Sequence, residues 1–454
     1  MTEVIAVFDI GKTNKKILLF DNQFKIVHQH EGKFPVVKDD DGFECDDIEL
    51  ITDWIRKSLE DLIANDQYNL VGVNFTTYGA SLMFLDKEGK RLTPVYNYLK
   101  EISPAVQEEL FEEYGGQHEF CRKTASPALG LLLNSGIQIL WLKKEKPEKY
   151  DLARSILHFP QYLSYSLTKE IVSEPTSIGC HTFMWDFDQM KYHRWLNDKG
   201  IQLPDPVTND TTFTVNVSGK ELQVGTGIHD SSASLVPYLK GSTKNFILVS
   251  TGTWCINMNP FNMEPLTAEQ LDQDCLCFLT PNKEQVKSSR LFMGHFHEVW
   301  AEKLAKYFKV PDDNFKTIGY DKRLIDSLQS RFGKSVYFPE GKESFEQGLE
   351  EVDPGIFENY HEAYTKLMID LTALCVTSIQ LVIPANDETE ILYVTGGFAR
   401  NPIFIALLKS GIPGKKVLIS EIDNASALGT ALVIEHVFSD KIGSKPDLNI
   451  ESDG

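Results

Sequence analysis

The sequence predicts an α/β protein made of two halves of like build facing one another across a central cleft. Three observations carry this expectation. The chain opens with an apolar run, residues 4–8, which ends in Asp9 and Gly11 and is followed by a second apolar run at 17–20. Just past its midpoint it repeats that pattern, with an apolar run at 246–249, the small hydroxyl-rich turn Ser250-Thr251-Gly252-Thr253, and a return run at 254–258. The chain of 454 residues is also longer than one simple core organises. A strand, a glycine turn and a strand at the start of each half suggest a duplicated fold. The polar stretch 240–245 is the best boundary, dividing the chain into 1–240 and 241–454.

Composition excludes several classes. Hydrophobic content of 42% and charged content of 24% belong to an ordinary soluble globular chain. A net charge of −20 argues against a nucleic-acid partner and against an anionic membrane surface. The seven cysteines are scattered and lack a Cys-x-x-Cys pair, the pattern of reduced thiols in a cytoplasm. Cys275 and Cys277 read as one face of a strand. No charged segment precedes an apolar one at the N-terminus, and no apolar stretch reaches membrane-spanning length, so a cytoplasmic protein is expected.

The elements follow in order. Residues 25–30 continue the opening meander, placing His28 and His30 on one strand face. Asp46 or Asp47 can cap a helix reaching about Ala64, with apolar positions at Ile48, Leu50, Ile51, Ile55, Leu59 and Leu62. Residues 70–75 form another strand. It runs into Thr76-Thr77-Tyr78-Gly79-Ala80-Ser81, and 82–85 and 92–96 are expected to continue the sheet. Helices are expected at 104–114 and 137–144, then a mixed segment of more than sixty residues ending near Val217. Gly225-Thr226-Gly227-Ile228-His229-Asp230 is a second turn, with a helix from Asp230 to about Leu235. In the second half, helices are expected at 290–308 and 357–381. Strands are expected at 391–394 and 417–419, and Asn401-Pro402 opens another helix. The small-residue stretch around Ala427-Leu428-Gly429 is suited to close helix packing, and residues from about 444 are expected to fray.

The first turn has the chemistry of a polyphosphate site. Gly11 lets the backbone approach a ligand; Thr13, Asn14 and the backbone N–H groups supply donors; Lys12, Lys15 and Lys16 supply positive charge. Asp9 can hold a metal ion through water. An ordinary β-hairpin with a polar turn fits these residues as well, just as Asp230 alone fits a helix cap and Gly396-Gly397 a plain strand-to-helix turn. Two familiar nucleotide motifs fail. Gly333-Lys334-Ser335 has Leu328 where a P-loop needs glycine, and Asp230 stands where a dinucleotide fingerprint needs one.

Taken in order, Asp9-x-Gly11, the Gly-x-His-Asp230 turn, Ser250–Thr253, Gly396-Gly397 with Asn401, and Ala427-Leu-Gly429 resemble the FGGY family of carbohydrate kinases, over nearly the whole chain. The most specific piece is Tyr393-Val-Thr-Gly-Gly-Phe-Ala-Arg-Asn-Pro followed by Ala425-Ser-Ala-Leu-Gly-Thr-Ala. Thr77-Tyr78-Gly79 and Ser250–Trp254 resemble the rhamnulokinase-like members in particular. The resemblance implies two RNase H-like domains of the actin-like ATPase fold and an ATP- and Mg²⁺-dependent sugar kinase. It implies that Asp9, with Asp230 beside it, serves the metal, and that Gly11, Thr13 and Lys16, with Lys12 and Asn14 in the same turn, meet the phosphates. Thr251, Gly252 and Thr253 would contact phosphates from the other half, while Gly396, Gly397 and Asn401 would line the adenosine pocket. Asp230 would take the proton of the attacking hydroxyl; Thr77, Tyr78, Gly79, Asn97 and His229 would contact the sugar. A homodimer is compatible with the family.

Three departures stand out. Lys12 replaces a small residue, Tyr96-Asn97-Tyr98-Leu99 replaces an Arg-Asp or Asn-Asp sugar ligand, and Ala80 stands where several members carry His. Two other classes compete: an actin-like ATPase acting on a protein partner, and a sugar-binding regulator without catalysis.

Overall fold

The computed structural model describes residues 1–338, 352–439, 447 and 450. Two mixed sheets repeat one order of pairing. In the first, Thr2–Ile10 pairs antiparallel with Lys15–Asp21 and parallel with Tyr68–Thr77, and Lys15–Asp21 pairs antiparallel with Ile26–Gly32. In the second, Phe246–Thr251 pairs antiparallel with Cys255–Asn259 and parallel with Ile391–Gly396, and Cys255–Asn259 pairs antiparallel with Gln285–Leu291. The repeated strand–turn–strand pattern thus opens two sheets of the same design. A hairpin, Thr212–Val217 and Lys220–Gly225, extends the first sheet beyond Tyr68–Thr77. Lys416–Ile419 extends the second beyond Ile391–Gly396, and Cys275–Leu279 forms its opposite edge.

The central strands are apolar runs because both of their faces are covered. Val4, Ile5, Ala6, Val7 and Phe8 are all buried. Val4, Ala6 and Phe8 face the helix Ile48–Ile63, whose stripe of Ile48, Ile51, Ile55, Leu59 and Leu62 is buried against them. Ile5 and Val7 face the other way, toward Ala233, Val236, Ala427 and Ala431. The last helix, Ala425–Leu432, therefore completes the core of the first sheet while belonging to the second half of the sequence. It packs on the helix Asp230–Gly241 so closely that a Cβ at Gly429 would lie 1.8 Å from the Ala233 carbonyl oxygen. The second sheet is covered by Tyr360–Gln380, capped by the Asn359 side chain.

The structure corrects three expectations. Residues 92–96 form no strand: Arg91 and Val95 make single bridges only, to Leu85 and Asp46. Pro94 lacks the N–H that a continuing ladder needs. Leu82–Leu85 pairs instead with Ser155–His158, in a separate two-stranded sheet. Arg290, expected in a helix, lies in the strand Gln285–Leu291, and the helix is Met293–Phe308. The tail expected to fray lies outside the described residues except for 447 and 450. Among the described residues no helix is long and apolar enough to cross a membrane.

Candidate active site

Three strand ends of the first sheet gather the central groups. Asp9 stands opposite Thr76 on one side, and Ile228 and His229 stand opposite Thr76 and Thr77 on the other. Asp9 and the His229-Asp230 step thus flank one strand end, on strands roughly 10 Å apart, twice the usual interstrand spacing. Both carboxylates stand on the first sheet. Burial, and then the charge of Asp230, raise the Asp9 carboxyl to about 6, against the opposing pull of Lys16. Asp230 is the first residue of its helix, with one third of its side chain exposed (33%). Its Oδ1 accepts the Ser231 backbone N–H at 2.6 Å and lies 3.2 Å from His229 Nε2. The unsatisfied N–H groups of a helix N-terminus favour a negative charge at this place.

The first turn is tight, since a Cβ at Gly11 would lie 2.9 Å from the Asn14 carbonyl oxygen. Thr13 and Asn14 are exposed and Lys16 is half-buried. The other two lysines turn back into the sheet. Lys15 Nζ lies 2.8 Å and Lys12 Nζ 3.6 Å from Asp46. Lys12 Nζ also sits 5.3 Å from the Tyr78 ring centre and 5.7 Å from that of Tyr98. Lys12, expected at the nucleotide, is directed to Asp46 and this aromatic pair. The tandem Asp46-Asp47 divides its labour: Asp47 caps the helix by accepting the Leu50 N–H at 3.1 Å, and Asp46 receives the two lysines and the Tyr78 hydroxyl.

Several expected sugar contacts are engaged internally. The Tyr78 ring is packed in the core against Phe159 and its hydroxyl donates to Asp46, so it presents no face for stacking. The buried Thr77 hydroxyl donates to the Tyr78 carbonyl at 2.7 Å. The Asn97 amide donates to the Glu44 carbonyl at 3.0 Å and accepts the Leu99 N–H at 3.0 Å. All three side chains make hydrogen bonds within the protein. Gly79 leaves room for His229, whose ring would lie 3.1 Å from a Cβ there.

In the second half a cavity of about 590 Å³ is lined by Gly252, Thr253, His297, Phe315, Gly397 and Asn401, among others. That volume suits a small organic ligand. Gly397 opens to free space, whereas at Gly396, with φ +89°, a Cβ would lie 1.8 Å from the Thr251 carbonyl oxygen, so no side chain fits there. The Thr251 hydroxyl is spent inside the sheet edge, donating to the Thr395 carbonyl at 2.6 Å and accepting the Phe398 N–H at 3.1 Å. This hydroxyl therefore ties its strand end to that of Ile391–Gly396. Asn401 caps the helix Pro402–Gly411 by accepting the Ile403 and Phe404 N–H groups, and its amide donates to Tyr364 Oη at 3.0 Å. His297 Nε2 meets the same hydroxyl at 3.0 Å, and burial lowers its imidazole to about 4. His297, Phe315 and Tyr364 were not legible as site residues, because helix spacing marks His297 only as one face among several.

The donor set fits a hard divalent cation: two acidic side chains lie close enough for one to raise the other's proton affinity, and an oxygen-seeking ion satisfies both. Another acidic cluster, Asp39, Asp40 and Asp41, is instead neutralised by Lys100, Lys146 and Lys149.

Duplicated sheets, carboxylates at the strand ends of one and a glycine-lined cavity beside the other define a two-domain α/β phosphotransferase architecture. Comparison with known proteins makes this specific. Residues 4–202 match the N-terminal domain of the FGGY family of carbohydrate kinases, and residues 243–441 match the FGGY carbohydrate kinase C-terminal domain. The chain belongs to the FGGY family of carbohydrate kinases, and is a sugar phosphotransferase of the actin-like ATPase fold. A rhamnulokinase of Oceanobacillus iheyensis is 22% identical over 95% of this chain and 93% of its own. A carbohydrate kinase structure from Novosphingobium aromaticivorans superposes with a TM-score of 0.81 at 22% identity, covering 99% of this chain and 94% of the other. Plasmodium falciparum glycerol kinase with ADP gives a TM-score of 0.72 at 16% identity, over 96% and 90% of the two chains.

Proposed function

We propose that this sugar kinase transfers the γ-phosphoryl group of ATP to a primary hydroxyl of a ketose or polyol of the rhamnulose, fuculose or ribulose type. The observation that carries the reading is Asp230, partly exposed at its helix N-terminus, with a second carboxylate, Asp9, across the intervening strand end and near enough for the charge of Asp230 to act on it. The rhamnulokinase relative favours the ketose class.

In the step proposed, the acceptor hydroxyl oxygen bonds to the γ-phosphorus as the bond to the β–γ bridging oxygen breaks. The electron pair stays on ADP, and the hydroxyl proton passes to Asp230. Gly11, Thr13, Asn14 and Lys16 would hold the phosphates from the first turn, with Gly252 and Thr253 opposing them. Gly397 and Asn401 would border the adenosine. Asp9 and Asp230 would hold Mg²⁺, which supplies charge neutralisation on the phosphate oxygens. Closure of one half on the other would exclude water as a competing acceptor. The test is ADP release across a panel of ketoses, polyols and aldoses. Sugar-dependent turnover is expected, and Asp230→Asn should lose at least about 100-fold in kcat while still binding ATP. ATP hydrolysis indifferent to every sugar would favour an ATPase acting on another partner.

A further inference from the structure

A chain of hydrogen bonds behind the cavity of the second half fixes the position of a single proton. Asn401 Oδ1 accepts the Ile403 and Phe404 N–H groups at 3.0 and 3.1 Å, so the other arm of its side chain is the amide nitrogen. That nitrogen donates to Tyr364 Oη at 3.0 Å, and His297 Nε2 lies 3.0 Å from the same hydroxyl. Tyr364 is fully buried, and its hydroxyl has one hydrogen to give. With the Asn401 amide already donating to it, the hydroxyl has His297 Nε2 as its acceptor among the described residues. Burial lowers the His297 imidazole to about 4, so the ring is neutral near pH 7 and carries its own proton on the other nitrogen, Nδ1.

That Nδ1–H is left to the cavity. Among the described residues it has no acceptor, it is not one of the polar atoms sealed in the core, and His297 lines the cavity of about 590 Å³. The ring is held in place, since it stands edge-on to Phe315 at 4.9 Å, to Phe398 at 5.2 Å and to Tyr364 at 5.7 Å. Gly294, one helical turn earlier, lies against the 250–253 turn, where a Cβ would come 2.2 Å from the Gly252 carbonyl oxygen. His297 therefore stands about 4.5 Å further along the helix axis from the turn proposed to meet the phosphates. Its neighbours in the cavity include Phe315, Ile318 and Phe398, apolar groups that suit a flat aromatic ring. The cations that line the same cavity, Lys316 and Arg400, pair with Asp313 at 3.6 Å and Glu421 at 3.3 Å.

We propose that His297 is the base-reading residue of the nucleotide site, its Nδ1–H donating to a ring nitrogen of the adenine. The inference rests on the nucleotide placement proposed above and adds the group that orients the base. The adenine ring carries acceptor nitrogens at N1, N3 and N7, and a lone donor of fixed direction pairs with one of them. The Asn401–Tyr364 relay holds the imidazole in the tautomer that can donate; with the proton on Nε2 instead, Nδ1 would face the base as an acceptor and meet those nitrogens lone pair to lone pair. The contact is the same before and during phosphoryl transfer, so its loss raises the ATP KM and leaves kcat.

Two substitutions in the full-length chain separate the ring nitrogens. His297→Asn sets an amide nitrogen where Nδ1 stands and has nothing to reach Tyr364; His297→Gln reaches Tyr364 and leaves the place of Nδ1 empty. Calorimetry measures the binding of ADP and of its 1-deaza, 3-deaza and 7-deaza analogues, and melting curves are taken without ligand. His297→Gln should bind ADP about 10-fold more weakly, the equivalent of one lost hydrogen bond, and melt close to wild type. His297→Asn should bind ADP within about threefold of wild type although it melts lower. One of the three analogues should bind wild type about 10-fold more weakly than ADP does, and His297→Gln should not tell that analogue from ADP. The ATP KM should follow the same pattern, with kcat and the sugar KM within about twofold. A Gln variant that binds ADP like wild type, an Asn variant no better than the Gln variant, analogues that all match ADP on wild type, or a wild type that binds no ADP would each overturn the inference. The full pattern of ADP binding in a protein that phosphorylates no sugar would uphold the base contact and remove only the proposed transfer.

Discussion

Asp9 holds a position that costs the fold stability. Its carboxyl is buried at a strand end beside a second carboxylate, and this raises it to about 6. At neutral pH the ionised form is therefore strained relative to the unfolded chain, on the order of 2–3 kcal/mol from the shift itself. Asp9→Asn should relieve that strain. The expected outcome is a ligand-free protein that melts about 1–3 °C higher than wild type, together with loss of turnover and of Mg²⁺-dependent ATP binding. A variant that melts lower would mean that Asp9 is structurally required. Sequence alone made this residue visible, because an acid closing a buried strand has few structural uses. The internal partners of Tyr78, Asn97 and Thr251 were not visible in the same way. Residue type marked them as able to contact ligands, but nothing in the local sequence shows that Asp46, the Glu44 carbonyl or the Thr395 carbonyl already takes their polar atoms. His297, Tyr364 and Asn401 come together from separate elements, and no spacing rule finds such a set.

The helix Asp230–Gly241 is the element that aims the proposed base, and its position is set by what lies behind it. The helix Ala425–Leu432 approaches so closely that Gly429 meets the Ala233 carbonyl, three residues from Asp230. A methyl group there has only backbone to push against, so one helix must move. Gly429→Ala should cost about 1–3 kcal/mol despite alanine's better helix propensity, and should lower kcat more than it raises the ATP KM. Melting curves and kinetics on the purified variant check both. Unchanged kcat would mean that the contact is not what positions Asp230. The small-residue pattern around Gly429 announced a close helix contact, although not its partner. Elements with a clear pattern were legible, among them Ile48–Ile63, whose buried positions recur at helical spacing, and the long apolar helix Tyr360–Gln380, buried without a break from Ala363 to Thr372. The 92–96 stretch and the residues before Met293 were misread because short apolar runs carry no decisive period; pairing with neighbours decided them.

At the scale of the whole molecule, buried imidazoles in both halves set the pH response. Burial holds His158 and His181 near 3 and His297 near 4, against 6.5 when unperturbed. The groups facing them reinforce or leave this unopposed: His229 faces His158, His229 and Arg290 face His181, and the neutral Tyr364 hydroxyl faces His297. Because the folded values lie below the unfolded one, the unfolded chain binds more protons as pH falls below about 6.5. Stability must then drop with falling pH, by up to about 1.4 kcal/mol per unit for each histidine. Asp9 works in the opposite direction, since its raised carboxyl takes up a proton in the folded state, but its window opens only below about pH 6. Three histidines outweigh one carboxyl, so the ligand-free protein should lose about 3 kcal/mol between pH 7.5 and 5.5. Urea unfolding at those two pH values measures the loss, and His158→Gln should flatten the curve by about one third. A protein equally stable at both would show that these imidazoles are reached by water or already protonated.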